Sequence, residues 1–283
     1  MQISAVQTDV TLGDKAANLR QLIQTLAAEA QLGSRLIVFP ECLLTGYCFE
    51  SRDEAMQHAE TIPGPSVQEI AEACRELNVF TVFGMLERCE SDLFNVAVAV
   101  GPDGIVGTYR KTHLPFLGVD RFTTPGTQPY EVLELDGLRL GMLICYDGGF
   151  PEPVRALALA GADLVVLPTN WPPGAESMAE HAVCTRAMEN NIYFAAVNRI
   201  GTERGFQFIG DSSICDPAGN FIQRVAGREA GIIRAEIDVS VARNKRIVRV
   251  PQKHIIDRMA DRRPELYGPL CTPHSLPRPG RDE

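Results

Sequence analysis

The residue best placed for chemistry is Cys145, which directly follows the apolar run at residues 138–144. Tyr146 and Asp147 come next, followed by a glycine pair, Pro151 and an alanine-rich segment with helical spacing. This order predicts a buried strand, a tight turn and the start of a helix. A thiol in such a turn lies beside backbone N–H groups, which favours a nucleophile. Because cysteine is often fully buried, Cys145 taken alone is more simply a core residue.

Glu41 and Lys111 change that balance. Glu41 follows a short apolar strand at residues 36–39, where a carboxylate is costly unless the chain emerges at an edge or a cleft. Lys111 ends a hairpin strand, residues 105–110, that returns from the turn at residues 101–104. A loop glutamate and a solvated lysine would each be ordinary on their own, so their meaning depends on where the elements bring them.

The spacing of apolar residues predicts these elements. Helices are expected after an N-cap at Asp14, after a capping box formed by Ser66 and Glu69, and at residues 151–159 and 176–189. The predicted strands are residues 2–7, 36–39, 79–84, 94–100, 105–110, 132–135, 138–144, 164–167, 192–197, 208–215, 221–225 and 231–237.

Polar residues follow the ends of several wholly apolar strands, namely Glu41, Cys145, Asn170 and Asn198. Apolar strands separated by helices predict an α/β fold in which helices bury a sheet. Ligand crevices in such sheets lie beyond the carboxyl ends of the strands. We therefore expect Glu41, Cys145 and Asn170 to share one crevice, with Lys111 delivered from its hairpin.

The composition limits which partners and which cellular compartment are expected. The net charge of −9 disfavours nucleic acid and anionic membrane surfaces as partners. No apolar run approaches the roughly 20 residues that span a bilayer, and residues 1–9 lack the basic and apolar regions of a secretory signal. The eight cysteines include no C-x-x-C pair, which predicts reduced thiols in the cytoplasm and neither disulfides nor a zinc site.

The chain is expected to form one main domain. Its 283 residues, 45% of them hydrophobic, suffice for a large core. The periodic pattern weakens after about residue 240. We expect a domain at residues 1–250 and a C-terminal extension at residues 251–283 that packs on the domain or on a partner subunit. The proline-containing tail from residue 272 is predicted to be extended or disordered unless it docks on a neighbour.

Three blocks in this order resemble the nitrilase superfamily of carbon–nitrogen hydrolases. They are Val38-Phe-Pro-Glu-Cys-Leu-Leu-Thr-Gly-Tyr47, Tyr109-Arg-Lys-Thr-His-Leu114 and Leu143-Ile-Cys-Tyr-Asp-Gly-Gly-Phe-Pro-Glu152, with further matches at residues 168–170 and 196–201. The resemblance implies a four-layer α-β-β-α sandwich that pairs with a second copy into a homodimer or a higher homo-oligomer. It also implies a Glu–Lys–Cys catalytic set, here Glu41, Lys111 and Cys145, that needs no metal and no organic cofactor.

Amide chemistry suits these residue types, because an adjacent ammonium such as that of Lys111 favours the reactive thiolate. Cys145 is expected to attack an amide carbonyl while Glu41 takes the thiol proton and passes it to the departing amine. The oxyanion needs donors, for which we assign Lys111 and the backbone N–H of Tyr146. A thioester results, and water activated by Glu41 releases the acid. His113 is an alternative base, but Lys111 fits the family pattern better, so we assign His113 a structural role.

Departures from the family pattern are informative. Many relatives have a further glutamate after the lysine block that helps to position substrate, but residues 115–126 contain none. Asp120 is the nearest acid and is a candidate to take that substrate-binding role with a shorter reach. Cys-Tyr-Asp resembles the amidase branch, whereas true nitrilases tend to have Cys-Trp-Glu. Gly148-Gly149 stand where N-carbamoyl-amino-acid hydrolases have two arginines, so that substrate class ranks lower. Tyr47 and Trp171, together with Tyr146 and Asn170, are candidates for substrate contacts, although Tyr47 and Trp171 fit core packing equally well.

The sequence thus predicts a thiol hydrolase that cleaves the C–N bond of a small carboxamide and releases ammonia. An N-carbamoyl amine is an alternative substrate, with carbon dioxide as an additional product. Acyl transfer, in which an amine or hydroxylamine intercepts the thioester, is a second possibility. Outside enzymes, a catalytically silent binding protein would keep the fold, but such proteins have lost a member of the catalytic set, and all three members are present here.

Overall fold

The computed structural model describes residues 1–281. Its helices and strands follow one another in this order: β1 (Gln2–Gln7), α1 (Lys15–Gln31), β2 (Leu36–Val38), α2 (Arg52–His58), α3 (Pro65–Leu77), β3 (Phe80–Cys89), β4 (Asp92–Gly101), β5 (Gly104–Arg110), β6 (Val132–Leu135), β7 (Leu138–Met142), α4 (Pro151–Leu159), β8 (Leu164–Thr169), α5 (Val183–Asn190), β9 (Tyr193–Asn198), β10 (Thr202–Glu203), β11 (Phe206–Gln207), β12 (Ser213–Cys215), β13 (Phe221–Arg224), β14 (Gly231–Glu236), α6 (Val239–Arg243), β15 (Ile247–Val250) and β16 (His254–Ile256).

Two six-stranded sheets form the centre of the molecule. Their strand orders are β14-β1-β2-β3-β4-β5 and β13-β12-β9-β8-β7-β6. Each has three parallel strands at its centre, β1-β2-β3 in one and β7-β8-β9 in the other. The outer strands pair antiparallel. Both sheets therefore present the carboxyl ends of buried parallel strands, which is the expected place for a crevice.

Successive side chains along each strand point alternately towards the other sheet and towards the helices. Leu36 and Val38 face the second sheet and share a core cluster with Val165. Ile37, between them, points the other way and packs with Leu22 of α1 and residues of α3. Successive strand residues point to opposite faces, so one sheet face packs on the other sheet and the opposite face packs on helices. With α4 and α5 covering the second sheet, the predicted four-layer α-β-β-α sandwich is confirmed.

The helix starts agree with the sequence in one case and differ in another. The Asp14 carboxylate caps α1 by accepting from the backbone N–H of Ala17 at 2.9 Å. The predicted capping box at Ser66 is wrong, because α3 begins at Pro65, two residues before the start that a Ser66 cap would give. Proline fits the first helical position, since its fixed φ suits a helix and its missing N–H costs nothing there. Ser66 instead contacts the Glu60 carboxylate through its hydroxyl and its backbone N–H.

Two other predicted elements differ from the observed ones. The strand predicted at 208–215 is reduced to Ser213–Cys215, because Gly210 and Ser212 bind the Asn198 and Gln7 side chains instead of pairing in the sheet. The helix predicted at 176–189 is helical over that whole range, but Met178–Ala182 form a π-helical turn before α5 begins.

The C-terminal extension forms a hairpin, β15–β16, that crosses the predicted boundary at residue 250. Short 3-10 turns follow at Pro264–Leu266 and Gly268–Cys271. Residues 272–281 form no helix or strand, and the last two residues of the predicted extension lie outside the described residues.

Several general properties follow from the described residues 1–281. No helix there combines the length and the apolar character that crossing a bilayer requires. No group of three or more His, Cys, Asp or Glu side chains in this part of the chain is arranged to hold a metal ion. All eight cysteines are free thiols.

Candidate active site

Four buried side chains converge where the two sheets meet. Glu41 follows β2, Lys111 follows β5, and Asp120 lies in the 3-10 turn Gly118–Arg121. All three have no exposed surface, and Cys145 is only 5% exposed. The charges of Glu41 and Lys111 both act on the Cys145 thiol. The structure therefore brings together the three residues that the sequence predicts as a catalytic set, and adds Asp120.

Lys111 is held between two carboxylates. Its Nζ donates to Glu41 Oε1 at 2.7 Å and to Asp120 Oδ2 at 2.5 Å. Burial alone would lower the pKa of Lys111, but Asp120 and Glu41 together raise it well above its ordinary value. Lys111 is therefore a permanent cation. Asp120, considered from the sequence as a substrate contact, binds the lysine directly.

Asn95 completes this cluster and is missing from the sequence prediction. It lies on β4, where its Nδ2 donates to Glu41 Oε1 at 2.7 Å and to Asp120 Oδ1 at 3.0 Å. An asparagine within the otherwise apolar run 94–100 is the one signal that pointed to it, because a buried amide requires partners.

Glu41 has one occupied and one free oxygen. Oε1 accepts from both Lys111 and Asn95, whereas Oε2 is buried without a hydrogen-bond partner among the described residues. Burial and the nearby Asp120 charge raise the pKa of Glu41, and Lys111 opposes them. A carboxylate with a raised pKa and a free oxygen is suited to accept a proton.

A close backbone approach positions Glu41. A Cβ atom on Gly84 of β3 would lie 2.2 Å from the Cys42 nitrogen and 2.7 Å from the Glu41 carbonyl carbon. Only glycine allows β3 to pass this near to the Glu41 segment. The segment is further tied by a hydrogen bond from the Gly84 N–H to the Pro40 carbonyl oxygen at 3.1 Å.

Cys145 begins the 3-10 turn Cys145–Gly149 in a left-handed conformation, with φ +46°. This backbone region is strained for a residue other than glycine and is found preferentially at functional sites. Burial raises the pKa of the thiol to about 12, and Glu41 adds to the rise. Lys111 acts the other way, as expected from the sequence, but does not outweigh burial. The resting thiol is therefore protonated and needs a base.

Asp147 anchors the nucleophile turn. Its Oδ2 accepts from the Ile144 N–H at 3.1 Å and from the Tyr109 hydroxyl at 2.9 Å. Its Oδ1 accepts from the Thr112 hydroxyl at 3.1 Å and from the His113 N–H at 2.9 Å. This fully buried carboxylate joins the turn to the segment that carries Lys111. From the sequence alone, Asp147 served only to distinguish branches of the family.

His113 contributes to the same anchor. Its Nδ1 lies 2.7 Å from Asp147 Oδ1, and its ring stacks on Phe150 with the ring centroids 4.1 Å apart. These contacts orient the imidazole towards the turn that follows Cys145. They agree with a structural role for His113.

The four remaining candidates for substrate contacts lie in different environments. Tyr47 is fully buried, and its hydroxyl donates to Asp120 Oδ2 at 2.8 Å. Trp171 packs in the main core, and its backbone N–H donates to Asn198 Oδ1 at 2.9 Å. The Tyr146 side chain lies at the surface. Asn170 is fully buried, yet neither atom of its amide has a partner among the described residues.

Comparison with known proteins gives the family. The model of the carbon–nitrogen hydrolase family matches residues 2–247. A nitrilase from Pyrococcus abyssi is 35% identical over 268 residues, covering 94% of this chain and 99% of the relative. An (R)-stereoselective amidase from a Pseudomonas species is 35% identical over 246 residues, covering 84% of this chain and 85% of the relative. The chain belongs to the carbon–nitrogen hydrolase family, and the resemblance to the nitrilase superfamily is confirmed.

Solved structures agree with this assignment. An amidase from Nesterenkonia sp. AN1, whose structure shows Michael addition of acrylamide at the active site cysteine, has 25% sequence identity to this chain. The match has a TM-score of 0.78 and covers 94% of this chain and 98% of that one.

Proposed function

We propose that this chain is an amidase that hydrolyses a small carboxamide to a carboxylic acid and ammonia through a thioester on Cys145. The observation that carries the proposal is the free, buried Oε2 of Glu41 beside a protonated thiol. A buried acceptor without a partner is costly, and the Cys145 proton supplies the missing partner during attack.

The first half-reaction forms the thioester. Glu41 removes the thiol proton as Cys145 Sγ attacks the carbonyl carbon. Lys111 and the backbone N–H of Tyr146 stabilise the oxyanion, and one such donor typically contributes about 3–4 kcal/mol. Glu41 then passes the proton to the nitrogen, and ammonia leaves as the C–N bond breaks. Asp120 and Asn95 keep Lys111 and Glu41 in place throughout.

The second half-reaction repeats this pattern with water. Glu41, now deprotonated, takes a proton from a water molecule that attacks the thioester carbonyl. The same donors stabilise the second oxyanion, and its collapse releases the acid. The proton on Glu41 returns to the Cys145 sulfur, which restores the resting enzyme.

Asn170 is the side chain that we assign to the substrate. A carboxamide offers both a donor and an acceptor, and the unpaired Asn170 amide offers the complementary pair. The Asn170 backbone N–H acts on the Cys145 thiol, which supports placing its side chain near the reacting group. Gly148 and Gly149 provide no cation for a substrate carboxylate, so we favour a neutral amide.

We further propose that the protein acts in the cytoplasm as a homodimer or a higher homo-oligomer, without a nucleic-acid partner. The net charge of −9 supports the last point. The extension, residues 251–283, exposes Leu266, Leu270 and Leu276, which supports packing on a neighbouring subunit while residues 1–250 form the catalytic domain.

The test measures ammonia release from aliphatic amides, ω-amides, N-carbamoyl amines and nitriles, with Cys145→Ala as the blank. Release from one class that is abolished in the variant would support the proposal and identify the substrate class. Carbon dioxide would mark carbamoyl hydrolysis, and hydroxamate formed with added hydroxylamine would mark acyl transfer. Silence across the panel, with Cys145 unreactive towards iodoacetamide in the folded protein, would favour a binding protein instead.

A further inference from the structure

Glu203 is a nearly buried carboxylate that the mechanism above does not use. Its Oε2 accepts from the backbone N–H groups of Tyr47 and Cys48, both at 2.9 Å. Its Oε1 pairs with Arg199. One side chain thus fixes the end of the segment that begins at Glu41, although Glu203 lies on β10, far away in sequence.

Arg199 holds Glu203 in place. The guanidinium is fully buried and also donates to Asp9 Oδ1 and to the Val10 carbonyl oxygen, each at 2.9 Å. The Phe208 ring lies under it, with its centroid 4.4 Å from the guanidinium carbon. Because the buried guanidinium binds both Glu203 and the distant segment Asp9-Val10, the ion pair is a fixed point and not a mobile surface bridge.

The backbone around Tyr47 is shaped for this contact. Gly46 has φ +80°, and a Cβ atom there would lie 2.9 Å from Glu203 Oε1. On the opposite side, a Cβ atom on Gly118 would lie 2.2 Å from the Tyr47 ring. Two glycines therefore let the Glu203 carboxylate and the Gly118 turn close on Tyr47 from both sides.

Tyr47 connects this fixed point to the site. Its hydroxyl donates to Asp120 Oδ2 at 2.8 Å, and the same oxygen accepts from Lys111 Nζ at 2.5 Å. Lys111 Nζ also lies 5.9 Å from the centroid of the Tyr47 ring. A displacement of Tyr47 is therefore transmitted to Asp120 and then to the lysine.

We propose that Glu203 is a positioning residue for the amidase reaction. Anchored by Arg199, it fixes Tyr47, and Tyr47 orients Asp120 so that Lys111 faces the developing oxyanion. Glu203 contacts none of the reacting atoms and acts only through Tyr47. The inference rests on the proposed function, because it assigns Lys111 to the oxyanion.

The test is a double-mutant cycle with Glu203→Gln, Tyr47→Phe and both together. Glu203→Gln should lower kcat by about 100-fold with little change in KM, since small displacements of catalytic groups have effects of that size. Tyr47→Phe, which leaves the ion pair intact, should lower kcat by about tenfold. The double variant should be no slower than Glu203→Gln alone, because both changes interrupt one path.

Glu54→Gln is the matched control, because it removes the partly exposed ion pair between Glu54 and Arg204, the residue next to Glu203. It should keep wild-type kcat. Multiplying effects in the double variant would overturn the proposal. Unchanged kcat in Tyr47→Phe would also overturn it, and that outcome stays decisive even if Glu203→Gln fails to fold.

A second readout separates this proposal from the proposed function. The rate of Cys145 alkylation by iodoacetamide reports on the thiol and its neighbouring charges without any turnover. If the wild-type protein releases no ammonia from any amide, the proposed function fails. Slower alkylation in Glu203→Gln and Tyr47→Phe, but not in Glu54→Gln, would still support the positioning role, and equal rates in all four proteins would refute it.

Discussion

The two sheets supply the site with halves of opposite character. On the side of the first sheet, Lys111 is bound to Glu41 and Asp120, and Asn95 bridges the two carboxylates. Nearly every polar atom there is paired. On the side of the second sheet, Cys145 has a strained backbone and Asn170 has no amide partner.

This difference indicates that the two halves have different roles in the reaction. Buried charges are stable only when they are paired, so the acid–base half is built in advance and is held in place whether or not substrate is present. A left-handed backbone occurs in both halves, at Cys42 and at Cys145. What distinguishes the nucleophile half is the unpaired Asn170 amide, since proteins retain unsatisfied polar atoms mainly where a ligand supplies the missing contacts. The free Oε2 of Glu41 is the unpaired atom of the acid–base half, and it is available to the nucleophile half.

Removal of the thiol should have the largest effect. We expect Cys145→Ala to lower the rate of ammonia release by at least about 10⁴-fold, since loss of a nucleophile removes the covalent route altogether. The variant should fold normally, because the thiol is not part of the paired acid–base half. Cys74→Ala, which changes a buried cysteine of α3, is the control and should keep its activity. Comparable loss in both variants would show that the effect is structural.

Loss of the base should have the next largest effect. We expect Glu41→Gln to lower kcat by about 10²–10⁴-fold, the usual contribution of a general base. The amide of glutamine cannot take the thiol proton, and burial, the largest cause of the raised thiol pKa, persists in the variant and keeps the thiol mostly protonated at neutral pH. Stopped-flow alkylation by iodoacetamide checks this directly. The rate in the variant should rise tenfold per pH unit, whereas rapid, pH-independent alkylation at neutral pH would contradict a base role.

The dependence of the reaction rate on pH tests the acid–base half without any mutation. Because the pKa of Glu41 is raised above its ordinary 4.5, kcat/KM should fall as the pH drops through that raised value, since protonated Glu41 is no base. On the alkaline side, the raised pKa of Lys111 keeps the cation, so no fall is expected below its ordinary 10.5. A fall near neutral pH on the alkaline side would mean that Lys111 is not held by its carboxylates.

The sequence identified functional residues that follow the ends of strands better than functional residues at other positions. Glu41, Lys111 and Cys145 each follow a strand, so a change from apolar to polar residues marked them. Asn95 and Asp147 were missed as functional residues, because their partners are distant in sequence. Asn95 reaches Glu41 across 54 residues and Asp120 across 25. No local pattern encodes such contacts.

Competing local signals explain the other differences. At α3, Pro65 determines the helix start more strongly than the capping residues beside it. For the thiol, the sequence indicated a helpful cation at Lys111, but burial at Cys145 has the larger effect on the pKa. The degree of burial depends on the packing of both sheets, which residue types alone do not give.

The unpaired amide of Asn170 gives the smallest and sharpest prediction. Asn170→Ala should raise KM for a carboxamide by about tenfold, the value of one ordinary hydrogen bond, and leave the melting temperature unchanged or higher, because a buried unsatisfied group is removed. Asn198→Ala is the matched control, because the Asn198 side chain accepts from the backbone N–H of Trp171 and donates to the Gly210 carbonyl oxygen. Leaving these groups unpaired should lower the free energy of unfolding by about 1–3 kcal/mol. Equal destabilisation by both substitutions, measured by urea unfolding, would show that Asn170 is an ordinary structural amide and that the nucleophile half is as fully paired as the acid–base half.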